Sequence, residues 1–393
     1  MRNTTVQFHW ESTCKVRPPA AQLAGSRIND GLLSLRAGID AGHSISITGD
    51  TVQTQDDMQP RLFCATGGST GAPKTISRSH ASWIANFEVN QKLFDLMPQD
   101  CLAVFGALKH SLTVYAVLEA AHIGADIAYL AGINASRQVD QINAQRVTYI
   151  YATPTQLKLL LTAKTPAPSV RHIIVGGGTV TQDVVQDCAA IFTQAQITQF
   201  YGASETSFIT LTDKDTPRGS VGKAYPGVTL ELRNRQAQGP DAAGEVWVKS
   251  PYVFEGYTDG PTSAIKDSLG FVTAGEIGRL NAAGYLYLMG RKNRMITIAD
   301  QNVYPEEIES FIAGKFGPRH VVVLPERDNM RGHKVVAVVQ GDDLDHHAIK
   351  RACNDRFGAL IAPRRIVRIE EMPLLSSGKP DLSVVQAWLE TEI

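Results

Sequence analysis

Apolar runs and helical stretches alternate through the middle of this chain. "CLAVFGAL" (101–108), "GADIAYL" (124–130), "VTYIYAT" (147–153) and "VRHIIVGGG" (170–178) are short continuous apolar runs that read as buried strands. "SLTVYAVLEAAHI" (111–123) and "TPTQLKLLLTA" (153–163) read as helices. Strand–helix alternation predicts an α/β fold with a parallel sheet covered by helices on both faces. Residues 1–60 are polar and weakly patterned, with one amphipathic helix expected over "RINDGLLSLRAGI", 27–39. Between about 218 and 290, "GVTLELRN", "GEVWVKS" and "GYLYLMG" are short strands separated by Gly, Pro and Asp turns, which predicts a small β subdomain. After "GRKNR" (290–294) the texture changes again. "YPEEIESFIAGKFG" and "LDHHAIKRACNDRFG" read as helices, and "HVVVLPER", "KVVAVVQG" and "RRIVRIEEM" as strands. That is a compact α+β unit of about 100 residues. The expected organisation is therefore a large N-terminal domain, 1–290, followed by a small C-terminal domain, 291–393.

Composition narrows the partners. The chain has 393 residues, 43% hydrophobic and 20% charged, which is ordinary for a globular protein that stays in water. A net charge of −1 supplies no bulk attraction to nucleic acid or to an anionic membrane, so neither is expected as a partner. The five cysteines, at 14, 64, 101, 188 and 353, form no CxxC pair. They give no zinc signature and favour reduced thiols in a cytoplasm. No apolar run reaches the length of a membrane span, and the N-terminus lacks a signal-peptide core.

The chemistry begins at "ATGGSTGAPKTIS", 65–77. Its spacing is nearly that of a Walker phosphate loop, but Pro73 stands where that loop needs glycine. Proline fixes φ and has no N–H to offer a phosphate. What remains still suits phosphate. Gly67, Gly68 and Gly71 permit tight turns, Ser69 and Thr70 add hydroxyls, and Lys74 brings charge. The flanks predict a strand, this loop, then a helix capped at Ser77 or Ser79. By itself the stretch leaves open a ligand-free surface turn.

Five segments in order decide between these readings. "TGGSTGAPK" (66–74), "YGASE" (201–205), "TAGEIGRLNAAGYLYLMGR" (273–291), "NVYPEEIE" (302–309) and "SSGKPDL" (376–382) resemble the signature segments of the acyl-adenylate-forming superfamily. That group includes acyl- and aryl-CoA synthetases, adenylation domains of nonribosomal peptide synthetases, and luciferase. The resemblance implies ATP-dependent activation of a carboxylic acid as acyl-AMP with release of pyrophosphate. Transfer to a phosphopantetheine thiol, of CoA or of an acyl carrier protein, then follows.

The resemblance also assigns roles. Thr66, Gly68, Ser69, Thr70, Gly71 and Lys74 would hold the β,γ-phosphates. Glu205 would organise Mg²⁺, because attack of a carboxylate on the α-phosphate brings two anions together. Tyr201 would stack on adenine, with Gly202 and Ser204 beside it and Gln199 towards the adenine edge. Gly177 and Gly178, within "GGG" at 176–178, would let backbone approach adenine or the acid closely. Glu276, where the family usually has Asp, would accept from the ribose hydroxyls, and Arg291 would reach ribose or phosphate. Lys379 matches the lysine that reaches the α-phosphate and leaves when the C-terminal domain rotates. The rotation would pivot at Asn293.

Two departures qualify the resemblance. The phosphate loop arrives at residue 66, whereas family members usually carry a considerably longer segment before it. That segment is expected to be missing or shortened, exposing a face for a partner subunit such as a second copy. "IADQN" (298–302) places Ala299 and Asp300 where the family usually has two glycines lining the thiol channel. Together these tip the expected acceptor towards a carrier protein over CoA. "FGALKHSLTVY" (105–115) lacks the Asp that amino-acid-activating members carry, so a plain acid, aryl or short acyl, is expected. His110 is then either the wall of the acid pocket or a helix N-terminal histidine without a ligand. The competing function is a non-catalytic nucleotide- or acyl-binding relative. Retention of Lys74, Glu205, Arg291 and Lys379 together favours the enzyme.

Overall fold

The computed structural model describes residues 6–18, 27–49, 51–66, 74–178, 180, 182–235, 242–259, 265–299, 301–328, 332–342, 344–375 and 379–392. Its centre is an eight-stranded sheet in the spatial order 16–17, 126–129, 101–104, 149–152, 172–175, 196–203, 207–211, 223–224. The first six strands are parallel, and the last two turn back antiparallel. Cys101–Val104 and Tyr149–Ala152 are buried at every position. Leu102 and Val104 pack into one apolar cluster, with Trp83, Phe87 and Leu118. Ala103 and Cys101 pack into the other, with Ile142, Leu157 and Leu160. Helices on both faces thus explain why these strands carry no polar alternation.

The weakly patterned start folds more than expected. Besides the helix Arg27–Asp40, it supplies the strands Ser44–Thr48 and Thr51–Gln55. They join a five-stranded sheet ordered 256–257, 75–79, 61–65, 44–48, 51–55. Thr51–Gln55 lies at the edge of that sheet and is largely exposed, so nothing forces an apolar alternation on it. The segment after the glycine-rich loop also differs. Thr75–Ser79 is first a strand, antiparallel to Arg61–Ala65, and only then comes the helix His80–Leu93, capped by Ser79, whose side chain accepts from Ser82 N–H. The residues on either side of the loop are therefore paired antiparallel strands.

The β texture after 218 forms a four-stranded antiparallel sheet ordered 229–233, 244–249, 272–280, 286–291. Beyond it, three strands (320–328, 332–340, 365–368) pack with helices Pro305–Phe316, His346–Ile361 and Leu382–Thr391. Pro305 opens its helix at a position needing no N–H, and Gly317 closes it with φ +60°. Buried apolar clusters of residues 296–389 contain nothing from earlier in the chain. No helix among the described residues is long and apolar enough to cross a membrane.

Candidate active site

The strand Gln196–Ala203 carries "QFYGA" to the carboxyl edge of the parallel sheet, the usual place for a ligand crevice. A bulge falls between Tyr201 and Gly202. A Cβ on Gly202 would lie 2.1 Å from the Ser207 carbonyl oxygen, so only glycine lets the two strands close here. The turn that follows is tied at both ends. Ala203 N–H donates to Thr206 Oγ1 (3.2 Å) and Thr206 N–H to the Ala203 carbonyl (3.2 Å). Ser204 and Glu205 stand at its tip.

Glu205 is held in place from both chain and side chain. Its carbonyl accepts from Phe254 N–H (2.8 Å), and Oε1 accepts from the Tyr257 hydroxyl (2.9 Å). Burial, then the Glu205 charge, push the Tyr257 hydroxyl's pKa up, so it remains a donor. The Lys74 ammonium lies 4.6 Å from the centre of the Tyr257 ring. Thr66 and Lys74 close the base of the glycine-rich loop. Thr66 N–H donates to the Lys74 carbonyl (2.8 Å) and Lys74 N–H to Thr66 Oγ1 (3.3 Å). Gly68, Ser69, Thr70 and Gly71 lie outside the described residues.

Arg78 was missed by sequence reasoning. It is 2% exposed and lies on the Trp83 ring, 5.1 Å from its centre. Its guanidinium donates to the carbonyls of Ser204 (3.4 Å) and Tyr252, fixing the turn from beneath. Burial pushes its pKa down to about 10, while Cys64, Tyr115 and Glu205 act in the opposite direction. The available signal was register. In "TISRS" a cation two residues after Ile76 shares the strand face that enters the core.

A second group assembles where the four-stranded sheet ends. Glu276 and Arg291 are directly opposed in the ladder, with Arg291 Nη2 3.5 Å from Glu276 Oε1. The Tyr201 hydroxyl lies close enough to Glu276 for burial and then that carboxylate to raise its pKa. Glu276 is 8% exposed, and its Oε2 has no partner among the described residues. Burial raises its pKa, while Arg291 and Tyr201 oppose this. Glu205 also acts on it, so the two carboxylates share one field.

Lys379 completes this group. Its carbonyl accepts from Leu375 N–H (2.8 Å), and Leu374 and Pro380 bridge beside it. Although the residue reaches the surface, desolvation by surrounding atoms and then the Arg291 charge lower its pKa, and Glu276 raises it. An orphaned buried acceptor, two carboxylates and three cations suit a ribose hydroxyl, a divalent metal and a polyphosphate.

The remaining residues frame this site. Gly177, φ +80°, and Gly178 are exposed just past the strand His172–Val175. Gln199 Oε1 accepts from Val180 N–H (3.1 Å), which ties Gln199 to the segment after that strand. His110 occupies the N-cap of the helix Ser111–Ile123 without capping it through its side chain. Ser111 Oγ meets Ser204 Oγ at 3.3 Å, which joins that helix start to the Glu205 turn. Asn293 is exposed in the short 3₁₀ turn Lys292–Arg294. Lys292 pairs back to Glu245 (3.1 Å), whereas Arg294 pairs forward to Glu309 (2.7 Å) and Glu306 (3.2 Å). Ala299 takes φ +45°, where glycine would be unstrained, and Asp300 lies outside the described residues.

Comparison with known proteins identifies the family and the fold. The family model described as AMP-binding enzyme matches residues 13–258, and that of the AMP-binding enzyme C-terminal domain matches 307–379. An uncharacterised acyl–CoA ligase of Bacillus subtilis, YhfT, is 29% identical over 88% of this chain and 72% of its own length. The ATP-bound MatB of Rhodopseudomonas palustris superposes with a TM-score of 0.75 at 24% identity, over 86% of this chain and 70% of that one. The o-succinylbenzoate CoA synthetase MenE of Bacillus subtilis, in complex with ATP and a magnesium ion, gives 0.74 at 23% identity, over 83% and 69%. These two structures share the fold of this chain.

Proposed function

Because this chain belongs to the AMP-binding enzyme family, we propose that it uses ATP to activate a carboxylic acid as acyl-AMP and then forms a thioester. The observation that carries this is that Lys74 and Glu205 meet around Tyr257 while Arg291 and Lys379 act on Glu276, which also feels Glu205, so that charged groups from four segments far apart in sequence come together. In the first step a carboxylate oxygen bonds to the α-phosphorus and the bond to the β-phosphate breaks, releasing pyrophosphate. Lys74 and Lys379 offset the anionic charge that meets there, while Glu276 accepts from the ribose. A magnesium ion held by Glu205 would neutralise phosphate charge and favour departure of pyrophosphate. In the second step a phosphopantetheine sulfur bonds to the acyl carbon and AMP leaves. The names of relatives as acyl–CoA ligases favour CoA over the carrier protein expected from sequence alone.

We set the domain boundary at 290/291. Lys292 tied backwards and Arg294 tied forwards make Asn293 the pivot that withdraws Lys379 between the two steps. Five buried cysteines without disulfides suit a reducing cytoplasm. The acid is aryl or short acyl, with His110 and Gly178 beside it. The test is exchange of labelled pyrophosphate into ATP across a panel of acids. Exchange with one acid class establishes adenylation. An intact protein that exchanges with none, while binding nucleotide, is instead the non-catalytic relative.

A further inference from the structure

A polar network lies beneath the Glu205 turn, closed off from solvent. Asn86 and Asn90 on the helix His80–Leu93, and Glu119 on the helix Ser111–Ile123, are each 0% exposed. Glu119 Oε1 accepts from Asn90 Nδ2 (2.8 Å) and lies 3.2 Å from the Tyr115 hydroxyl oxygen, and Oε2 accepts from the Tyr151 hydroxyl. The Tyr225 hydroxyl donates to Asn90 Oδ1 (2.7 Å). One arm leaves this cluster. Asn86 Oδ1 accepts from the Tyr115 hydroxyl and from Ser207 Oγ (3.2 Å). Asn86 Nδ2 is buried without a partner among the described residues, a cost that a purely packing residue would not carry.

Ser207 is the end of that arm and is itself strained. Its φ is +59°, in the left-handed region that non-glycine residues rarely adopt. It closes the turn whose tip is Glu205, and its carbonyl is the group Gly202 must approach. An anchored hydroxyl opposes the tendency of that residue to relax to negative φ, which would re-aim the turn.

We propose that Asn86 is a positioning residue: through Ser207 Oγ it holds Ser207 left-handed and so fixes where Glu205 stands, an inference that rests on Glu205 being the metal–ATP carboxylate. Asn86 touches no substrate, and its effect passes through the backbone of the turn.

Calorimetric titration with Mg·ATP and, separately, with ATP in EDTA tests this without knowing the acid. Ser207→Ala keeps the strain and loses the anchor. It should weaken Mg·ATP about tenfold, as expected for one lost buried hydrogen bond, and leave metal-free ATP unchanged. Ser207→Gly loses the same anchor but removes the strain, so it should bind Mg·ATP like the parent. Asn86→Ala should behave as Ser207→Ala, and Asn86→Ala with Ser207→Gly should recover. A purely structural role would make glycine at 207 the worse substitution. Ser207→Ala binding Mg·ATP normally, or Ser207→Gly binding as weakly as Ser207→Ala, overturns the proposal. Glu205→Gln is the control. Loss of Mg·ATP affinity there with none in Ser207→Ala sinks only the role of Asn86, whereas no loss in Glu205→Gln sinks both readings.

Discussion

Replacing Glu119 by glutamine should make the protein lose less stability as pH rises from mildly acidic to neutral. Glu119 is fully buried, and burial pushes its pKa from 4.5 up to about 7, with Tyr151, Asn90 and Tyr115 acting in the opposite direction. Tyr115, Tyr151 and Tyr225 face it, and their own pKa values are raised, so they remain neutral donors. In the unfolded chain the same carboxyl ionises at its ordinary value. Below about pH 4.5 both states hold the proton and burial of the neutral acid costs little. As pH rises from there through about 7, the folded state keeps a proton the unfolded state has lost, so stability falls and then levels off. At about 1.4 kcal/mol per pH unit, the shift corresponds to an upper bound of about 3 kcal/mol.

Glutamine keeps the shape and an acceptor for Asn90, and it cannot ionise. Urea unfolding of parent and Glu119→Gln, at about pH 5 and about pH 8, isolates the effect, because other titrating groups are common to both. His80, whose burial holds it down to about 4, is one of them. The parent should lose up to about 3 kcal/mol more between the two pH values than the variant does. The same pH response in both proteins would refute the reasoning.

Lys379→Ala should lower adenylate formation strongly while leaving transfer from preformed acyl-AMP nearly intact; equal loss in both half-reactions would make the lysine structural. Glu205→Gln should shift the magnesium dependence of pyrophosphate exchange to higher metal with little change in thermal unfolding, and an unaltered magnesium titration counts against it. Gly202→Ala drives a Cβ into the Ser207 carbonyl and should cost about 1–3 kcal/mol, seen as a lower melting temperature. Arg78→Met should lose the carbonyl anchors of Ser204 and Tyr252, weakening Mg·ATP and lowering the melting temperature together; a change in neither would show that the turn holds without it.

The sequence alone determined what repeats locally. Continuous apolar runs at 101–104, 149–152 and 172–175 specify strands buried on both faces, because no polar side chain could alternate there. The five ordered segments named the chemistry, since phosphate, metal and ribose each demand particular donor types near glycine. The polar edge strand Thr51–Gln55 left no such trace, because solvent imposes no pattern on an exposed strand. Only the tertiary structure decided that Glu276 meets Arg291 and Tyr201, that Tyr257 steadies Glu205 beside Lys74, and that Arg78 lies under the turn. It also paired Gln199 Oε1 with Val180 N–H. These partners are separated by tens to hundreds of residues. Their pairing depends on which strand ends the sheet order places together, and a linear pattern carries no information about that distance.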